Sequence, residues 1–307
     1  MTKILIAGIG GVGGYFGGLL ARAFAQNADV QINFLARGAH LQEIQKNGLT
    51  VLDDGTEFIA RPRHVTDNAG ILEKMDYILL CTKSYDLLPL LEQLRVCIDD
   101  ETVILPLLNG VDNQEHILRH FPSNILAEGC VHISSRYVSP GRVTKTGPTA
   151  KLFFGLAHSS HARLELLLDI MLLAGIDATC TPDISTITWE KFIFIASFAT
   201  ATSFFDSPVG SIMEDPARQE DLYRLFCEAT ALAEKKGFSM PEDLPDLLLK
   251  RLMNVPYTST SSMHSDFLAQ KGKTELDSLT GYLVREGVKY GLPTPVFASM
   301  YIALQSR

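Results

Sequence analysis

Lys3-Ile4-Leu5-Ile6-Ala7-Gly8-Ile9-Gly10-Gly11-Val12-Gly13 opens this chain. The apolar run reads as a buried parallel strand. Glycines at 8, 10 and 13 then turn the chain into a helix expected over Tyr15 to Gln26. In that pattern the first glycine permits the tight turn. The second lets a pyrophosphate approach the backbone, and the third lets helix and strand pack closely. The helix start offers N–H groups and a positive dipole end to the phosphates. Gly8, Gly10, Gly11, Val12 and Gly13 are therefore the expected dinucleotide-binding residues. A glycine turn with no ligand is the alternative.

The next strand, Val30 to Leu35, tells which dinucleotide. An NAD site usually carries Asp or Glu at the end of this strand, bonded to the ribose 2′-hydroxyl. Here the strand runs out through Leu35-Ala36-Arg37. A guanidinium binds a 2′-phosphate through two parallel bonds, whereas a carboxylate repels it. Arg37 thus points to NADPH/NADP+; a solvated arginine at a strand end is the plainer reading.

At 307 residues the chain can bury two cores. A net charge of −8 makes nucleic acid an unsuitable partner. The five cysteines (Cys81, Cys97, Cys130, Cys180, Cys227) are scattered, with no CxxC pair and no metal-ligand spacing, so no metal is expected. Their odd number suits a reducing cytoplasm. Lys3, the apolar run and Ala23-Phe24-Ala25 imitate a signal peptide, but a leader does not call for five glycines between Gly8 and Gly14. No uninterrupted apolar run reaches membrane-spanning length, so no membrane partner is expected.

Strands and helices alternate further on. Tyr77 to Cys81 and Thr102 to Leu107 read as strands, Tyr85 to Cys97 and Asp112 to His120 as helices, and Ile125 to Ile133 as extended. Leu49 to Ile59 reads as a hairpin about Asp54-Gly55. Gly141 to Gly147 with Lys151 to Phe154 reads as a second hairpin, followed by a helix over Ala162 to Leu173 and a strand over Asp177 to Cys180. From Pro182 strand signals vanish. Helical patterns run over Ile184 to Phe205, Asp221 to Lys236, Leu244 to Asn254 and Leu276 to Tyr290. The expected fold is an α/β Rossmann-type doubly wound sheet over residues 1–181, followed by an all-α C-terminal domain over 182–307. A helical domain over the carboxyl edge of the sheet would close a substrate cleft there.

Several polar residues stand where such a cleft would need them. Lys83 and Ser84 follow one strand and Asn109-Gly110 another. Lys191 lies one turn into a largely apolar helix, beside Trp189 and before Phe192-Ile193-Phe194-Ile195. Ser261-Ser262-Met263 and Thr274-Glu275 fall in connections around the last helices. A lysine can donate a proton and stabilise a developing negative charge, and an adjacent carboxylate would orient it. Taken singly, each has a plain reading: Lys191 and Glu275 as solvated side chains, Lys83 at a helix start, Asn109 in a turn, Ser262 as an N-cap.

Taken in order, these pieces resemble the ketopantoate reductases (2-dehydropantoate 2-reductases) over essentially the whole length. The matching pieces are the glycine loop, Arg37, Thr82-Lys83-Ser84-Tyr85-Asp86, Asn109-Gly110, Trp189-Glu190-Lys191, Ser261-Ser262-Met263 with Asp266, and Thr274-Glu275-Leu276-Asp277 with Gly281. The resemblance implies Lys191 as the general acid and Glu275 as a carboxylate near the reacting oxygen. It implies Lys83 and Asn109 around nicotinamide and substrate, Ser262 on the substrate carboxylate, and Arg37 on the 2′-phosphate. The implied reaction is ketopantoate to pantoate, in pantothenate synthesis. The chain departs from the family at Ile195 and Ala199, where well-known members place asparagines, and one residue is added between Asp266 and Glu275. Thr200, Thr202 or Ser203 are the candidate substitutes. Another small 2-keto acid as substrate stays open, as does an NADPH-binding regulatory protein without turnover. The oligomeric state is also open, a homodimer included.

Overall fold

The structure is a computed structural model describing residues 1–307. It divides into two compact units, Met1–Leu108 with Asn113–Ile184, and Asn109–Asp112 with Ser185–Arg307. The short stretch after Leu108 thus groups with the helices, although the sequence reading left it with the sheet.

The first unit begins with β1 (Thr2–Ala7), α1 (Gly11–Ala23), β2 (Val30–Leu35) and α2 (Gly38–Asn47). Then come β3 (Leu49–Asp53), β4 (Thr56–Ala60), β5 (His64–Thr66), β6 (Tyr77–Leu80), α3 (Leu87–Leu94), β7 (Val103–Pro106) and α4 (Asn113–His120). It ends with β8 (Ile125–Leu126), β9 (Glu128–Ser139), β10 (Arg142–Gly155), α5 (Ala162–Leu173) and β11 (Asp177–Cys180). Six strands form a sheet in the order β5-β2-β1-β6-β7-β8, and all five pairings are parallel. Ile4 and Ile6 of β1 face one core and Leu5 and Ala7 the other, which is why the strand reads as a continuous apolar run.

A second sheet, β11-β10-β3-β4 with β9 on β10, was not expected. The Asp54-Gly55 turn joins β3 and β4 as read, with Asp54 at φ 44° and Gly55 at φ 90°. The other hairpin differs. β10 is one strand of 14 residues that pairs antiparallel with β9 across Pro140-Gly141. The register slips between Thr146 and Ala150, so Gly147 and Pro148 mark an irregularity, not a turn.

Helix α1 touches both sheets, and its glycines mark the contacts. A Cβ at Gly17 would lie 3.0 Å from Ile6 and 3.1 Å from Phe34 of the parallel sheet. On the other side a Cβ at Gly11 would lie 2.4 Å from the Ser135 carbonyl, at Gly14 2.6 Å from Val143, and at Gly18 2.7 Å from Val51. Tyr15 of α1 donates to Asp53 at 3.0 Å, and burial pushes its hydroxyl up to about 12. Lys145 of β10 bridges Asp53 at 3.0 Å and Asp54 at 2.9 Å.

The second unit is helical: α6 (Ile184–Phe204), α7 (Val209–Glu214), α8 (Pro216–Lys235), α9 (Leu244–Leu252), α10 (Ser262–Leu268), α11 (Thr280–Lys289) and α12 (Pro295–Gln305). The sequence reading found four of these and missed α7, α10 and α12. Its core gathers on α6. Trp189 stacks on Phe238 at 4.9 Å and meets Phe192 edge-on at 5.5 Å. Beside them the Lys236 ammonium lies 4.8 Å from the Tyr290 ring centre and pairs with Glu286. No helix is long and apolar enough to cross a membrane.

The packing of α1 gives a direct expectation. In an exposed helix Gly→Ala gains about 0.5–1 kcal/mol. At Gly18 the new methyl meets Val51, a stiff β-branched side chain on a buried strand. Overpacking of this kind typically costs about 1–3 kcal/mol. Gly18→Ala should therefore lower the urea midpoint; a raised midpoint would show that α1 has slack against the second sheet.

Candidate active site

In the first unit the candidate residues follow the carboxyl ends of the parallel strands. Gly8 comes after β1 at φ 102°, a conformation glycine adopts without strain, and its N–H donates to Leu35 at 3.1 Å. Gly13 packs under the turn: a Cβ there would lie 2.0 Å from the Gly8 carbonyl and 2.7 Å from the Cys81 Cβ. Desolvation pushes the Cys81 thiol up to about 12, making it a neutral wall of the loop and not a nucleophile. Gly10 is different, because a Cβ there would meet nothing within 4 Å. It is also the N-cap of α1 and supplies no side-chain cap, and the first turn carries no acid. The loop therefore leaves open space beside helix N–H groups, a cradle that fits a pyrophosphate.

Arg37 follows β2 and is 75% exposed. Its Nη2 donates to Asp86 Oδ2 at 2.9 Å. Asp86 closes the short 3₁₀ turn Ser84–Asp86 that follows Lys83 at the end of β6. The sequence reading looked for an acid at the end of β2 and found none; the fold brings one from 49 residues downstream. His40 of α2 was also missed. Its Nδ1 accepts from the Gly141 N–H at 2.8 Å, and burial pushes its pKa down, which keeps that nitrogen an acceptor.

In the second unit, Lys191 Nζ donates to Asn109 Oδ1 at 3.1 Å. These two residues are 82 positions apart, and both were singled out from sequence. Gly110, at φ 96°, turns the chain directly after Asn109. Glu275 is 2% exposed and lies in the turn before α11, its carbonyl accepting from the Leu279 N–H at 3.0 Å. Ser262 is the exposed first residue of α10. It is not the helix cap. That role belongs to Ser261, whose hydroxyl accepts from the His264 N–H at 3.0 Å and bonds Thr202 at 2.9 Å.

The hydroxyls offered as substitutes for the missing asparagines are committed elsewhere or shut in. Thr200 donates to the Ala196 carbonyl and lies 2.7 Å from Thr280 Oγ1. Thr202 bonds Phe198 and Ser261. Ser203 is fully buried and its hydroxyl has no partner. The reason is helical geometry: these positions face neighbouring helices, where hydroxyls tie α6 to α10 and α11. His264 Nε2, 2.8 Å from Asp206 Oδ1, adds a further tie between α10 and the end of α6. That bond holds the Asp206 carboxyl below its usual range.

The ketopantoate reductase PanE/ApbA family matches residues 4–158, and its C-terminal family matches residues 183–307. The chain belongs to the ketopantoate reductase family. It is thus a pyridine-nucleotide-dependent oxidoreductase. It is 26% identical to the 2-dehydropantoate 2-reductase of Halobacterium salinarum, over 97% of this chain and 96% of that protein. It is 34% identical to the 2-dehydropantoate 2-reductase structure from Porphyromonas gingivalis W83, with a TM-score of 0.87 and 99% of each chain covered. A D-mandelate dehydrogenase bound to NADH and anilino(oxo)acetate shares the fold at a TM-score of 0.87 and 22% identity, covering 99% of this chain and 98% of that one.

The two serines can be told apart by stability. Ser261→Ala removes a cap and the bond to Thr202, and should lower unfolding free energy by about 1 kcal/mol or more. Ser262→Ala should stay within about 0.5 kcal/mol of the parent. Urea unfolding of both variants checks the assignment; equal losses would contradict it.

Proposed function

We propose that this chain reduces 2-dehydropantoate (ketopantoate) to pantoate with NADPH, a step of pantothenate biosynthesis. The observation that carries the reading is the Lys191–Asn109 hydrogen bond, which aims an ammonium from the second turn of α6. NADPH, when bound, supplies the hydride. Lys191 supplies the proton. One of its N–H groups rests on Asn109 Oδ1, and an ammonium carries three donors, so the same group can also donate to the ketone oxygen of a bound substrate. As negative charge grows there the cation stabilises it, and the N–H proton moves to oxygen to give the alcohol. The neutral amine then takes a proton from water. We assign Glu275 as the carboxylate beside the reacting group and the Ser262 hydroxyl as a donor to the substrate carboxylate. Lys83 and Asn109 are assigned to the nicotinamide and substrate, the Gly8–Gly13 loop to the pyrophosphate and Arg37 to the 2′-phosphate.

A second reading keeps the chemistry and changes the substrate to another small 2-keto acid. Ile195 is half-buried and Ala199 is 4% exposed, and both are apolar where the family's well-known members carry asparagines. With the α6 hydroxyls engaged in the interior, this wall suits a less polar side chain on the keto acid. The aromatic ligand of the D-mandelate dehydrogenase structure agrees with that breadth. NADPH oxidation followed by absorbance over a panel of 2-keto acids, ketopantoate included, separates the readings. NADPH binding without turnover on any member would instead indicate a regulatory protein.

General acid catalysis contributes about 10²–10⁴-fold. Lys191→Ala should lower kcat by that order, while circular dichroism and NADPH binding stay as in the parent. Near-normal turnover would remove the lysine from the mechanism.

Arg37 sets the second expectation. A hydrogen bond to a charged group contributes about 1.5–3 kcal/mol, or roughly one to two decades in affinity. Arg37→Ala should weaken NADPH binding by that order and leave NADH nearly unchanged by calorimetry. Equal losses for both nucleotides would refute the 2′-phosphate role.

A further inference from the structure

We infer that Asp86 sets the coenzyme selectivity of this chain by competing with the nucleotide 2′-phosphate for Arg37. The inference rests on the reading of Arg37 as the group that meets the 2′ position. Its own basis is the geometry around that guanidinium. Arg37 Nη2 donates to Asp86 Oδ2 at 2.9 Å, and the two side chains are 75% and 30% exposed. Both therefore stand at the surface of the strand edge, within reach of a ligand.

Asp86 is also free of the task its position suggests. It is the N-cap of α3, where an aspartate ordinarily accepts from the N–H groups of the first turn. It makes no such bond. The carboxylate is turned to Arg37 instead, across 49 residues of sequence.

The consequence is a conflict of charges. A 2′-phosphate on Arg37 would bring a second anion to a guanidinium already engaged by a carboxylate. The phosphate must displace Asp86 or share the cation with it, and in both cases like-charge repulsion opposes binding. A 2′-hydroxyl carries no charge and meets no such opposition. Asp86 thus lowers the preference for NADPH that Arg37 alone would give, and NADH remains a usable coenzyme.

The test is nucleotide affinity, measured by calorimetry on the full chain with NADP+ and NAD+ for the parent, Asp86→Asn and Arg37→Ala. Asparagine keeps the shape and removes the charge. Asp86→Asn should tighten NADP+ roughly tenfold at low salt, the repulsion expected at such distances in a solvent-exposed setting. NAD+ should change by less than about twofold, since no charge is placed against it. The gain should shrink as salt is raised, because screening weakens the repulsion. Unchanged or weaker NADP+ binding in Asp86→Asn overturns the inference. So does a selectivity change produced wholly by weaker NAD+, which would assign Asp86 to the ribose hydroxyl. Failure of the underlying reading shows separately, as an Arg37→Ala variant with the parent's NADP+ affinity.

Discussion

The fold depends on one helix having no side chains where two sheets meet it. α1 is buried along Gly13–Ala21, and its glycines abut Ile6 and Phe34 on one side and Ser135, Val143 and Val51 on the other. Each glycine in a helix interior costs about 0.5–1 kcal/mol relative to alanine. What offsets this is burial of the whole helix surface, with Tyr15, Phe16, Leu19 and Leu20 filling the gaps between the close contacts. The same constraint fixes the loop that precedes the helix. With Gly11 and Gly13 pressed against backbone, Gly10 has a defined position with open space in front of it. The open space at Gly10 is thus a by-product of how tightly α1 is held.

The glycine loop and the alternation of strand and helix are local signals, and they were legible from the sequence. So was the β3–β4 hairpin, because Asp54-Gly55 supplies the positive φ values the turn needs. The second sheet was not. β3 and β10 pair in parallel, Thr50 opposite Arg142, and nothing local in either strand names the other. The glycines at 14, 17 and 18 held the missing information. They exceed what a phosphate loop requires, and a helix this depleted of side chains must be packed on more than one face. The missed helices α7 and α10 have six and seven residues, too few turns for an amphipathic period to register, whereas α12, with 11, is apolar on most faces and so shows little period.

At the candidate site, sequence supplied identities and the fold supplied pairings. Lys191 was conspicuous as a cation in an apolar helix, and Asn109 as a polar residue after a buried strand. That one holds the other follows only from three dimensions. Asp86 was passed over because the rule for choosing the nucleotide looks at the end of β2, whereas the carboxylate reaches Arg37 from beyond β6. The hydroxyls of α6 misled for a related reason. Over one turn a helix presents every direction, so Thr200 and Thr202 looked as eligible for a substrate as any neighbour. Their directions lead to Thr280 and Ser261 instead.

Those interior hydroxyl bonds have a consequence for selectivity. Thr202 holds Ser261, Ser261 caps α10, and Ser262 is the next residue along. His264 of the same helix is tied to Asp206, and Arg307 joins that carboxylate at 3.1 Å. A buried hydroxyl pair is directional and resists sliding, whereas apolar side chains alone let helices shift against each other. The distance from Ser262 to Lys191 is therefore set by α6 itself, through bonds made on the faces turned to α10 and α11. Other side chains on that helix make no such hydroxyl tie, and Ile195, one turn beyond Lys191, is one of them. Substitution at such positions leaves the spacing of Lys191 and Ser262 undisturbed. Under the roles proposed for Lys191 and Ser262, an apolar Ile195 changes what the keto acid must look like, while the hydroxyl ties keep the lysine and the serine in place.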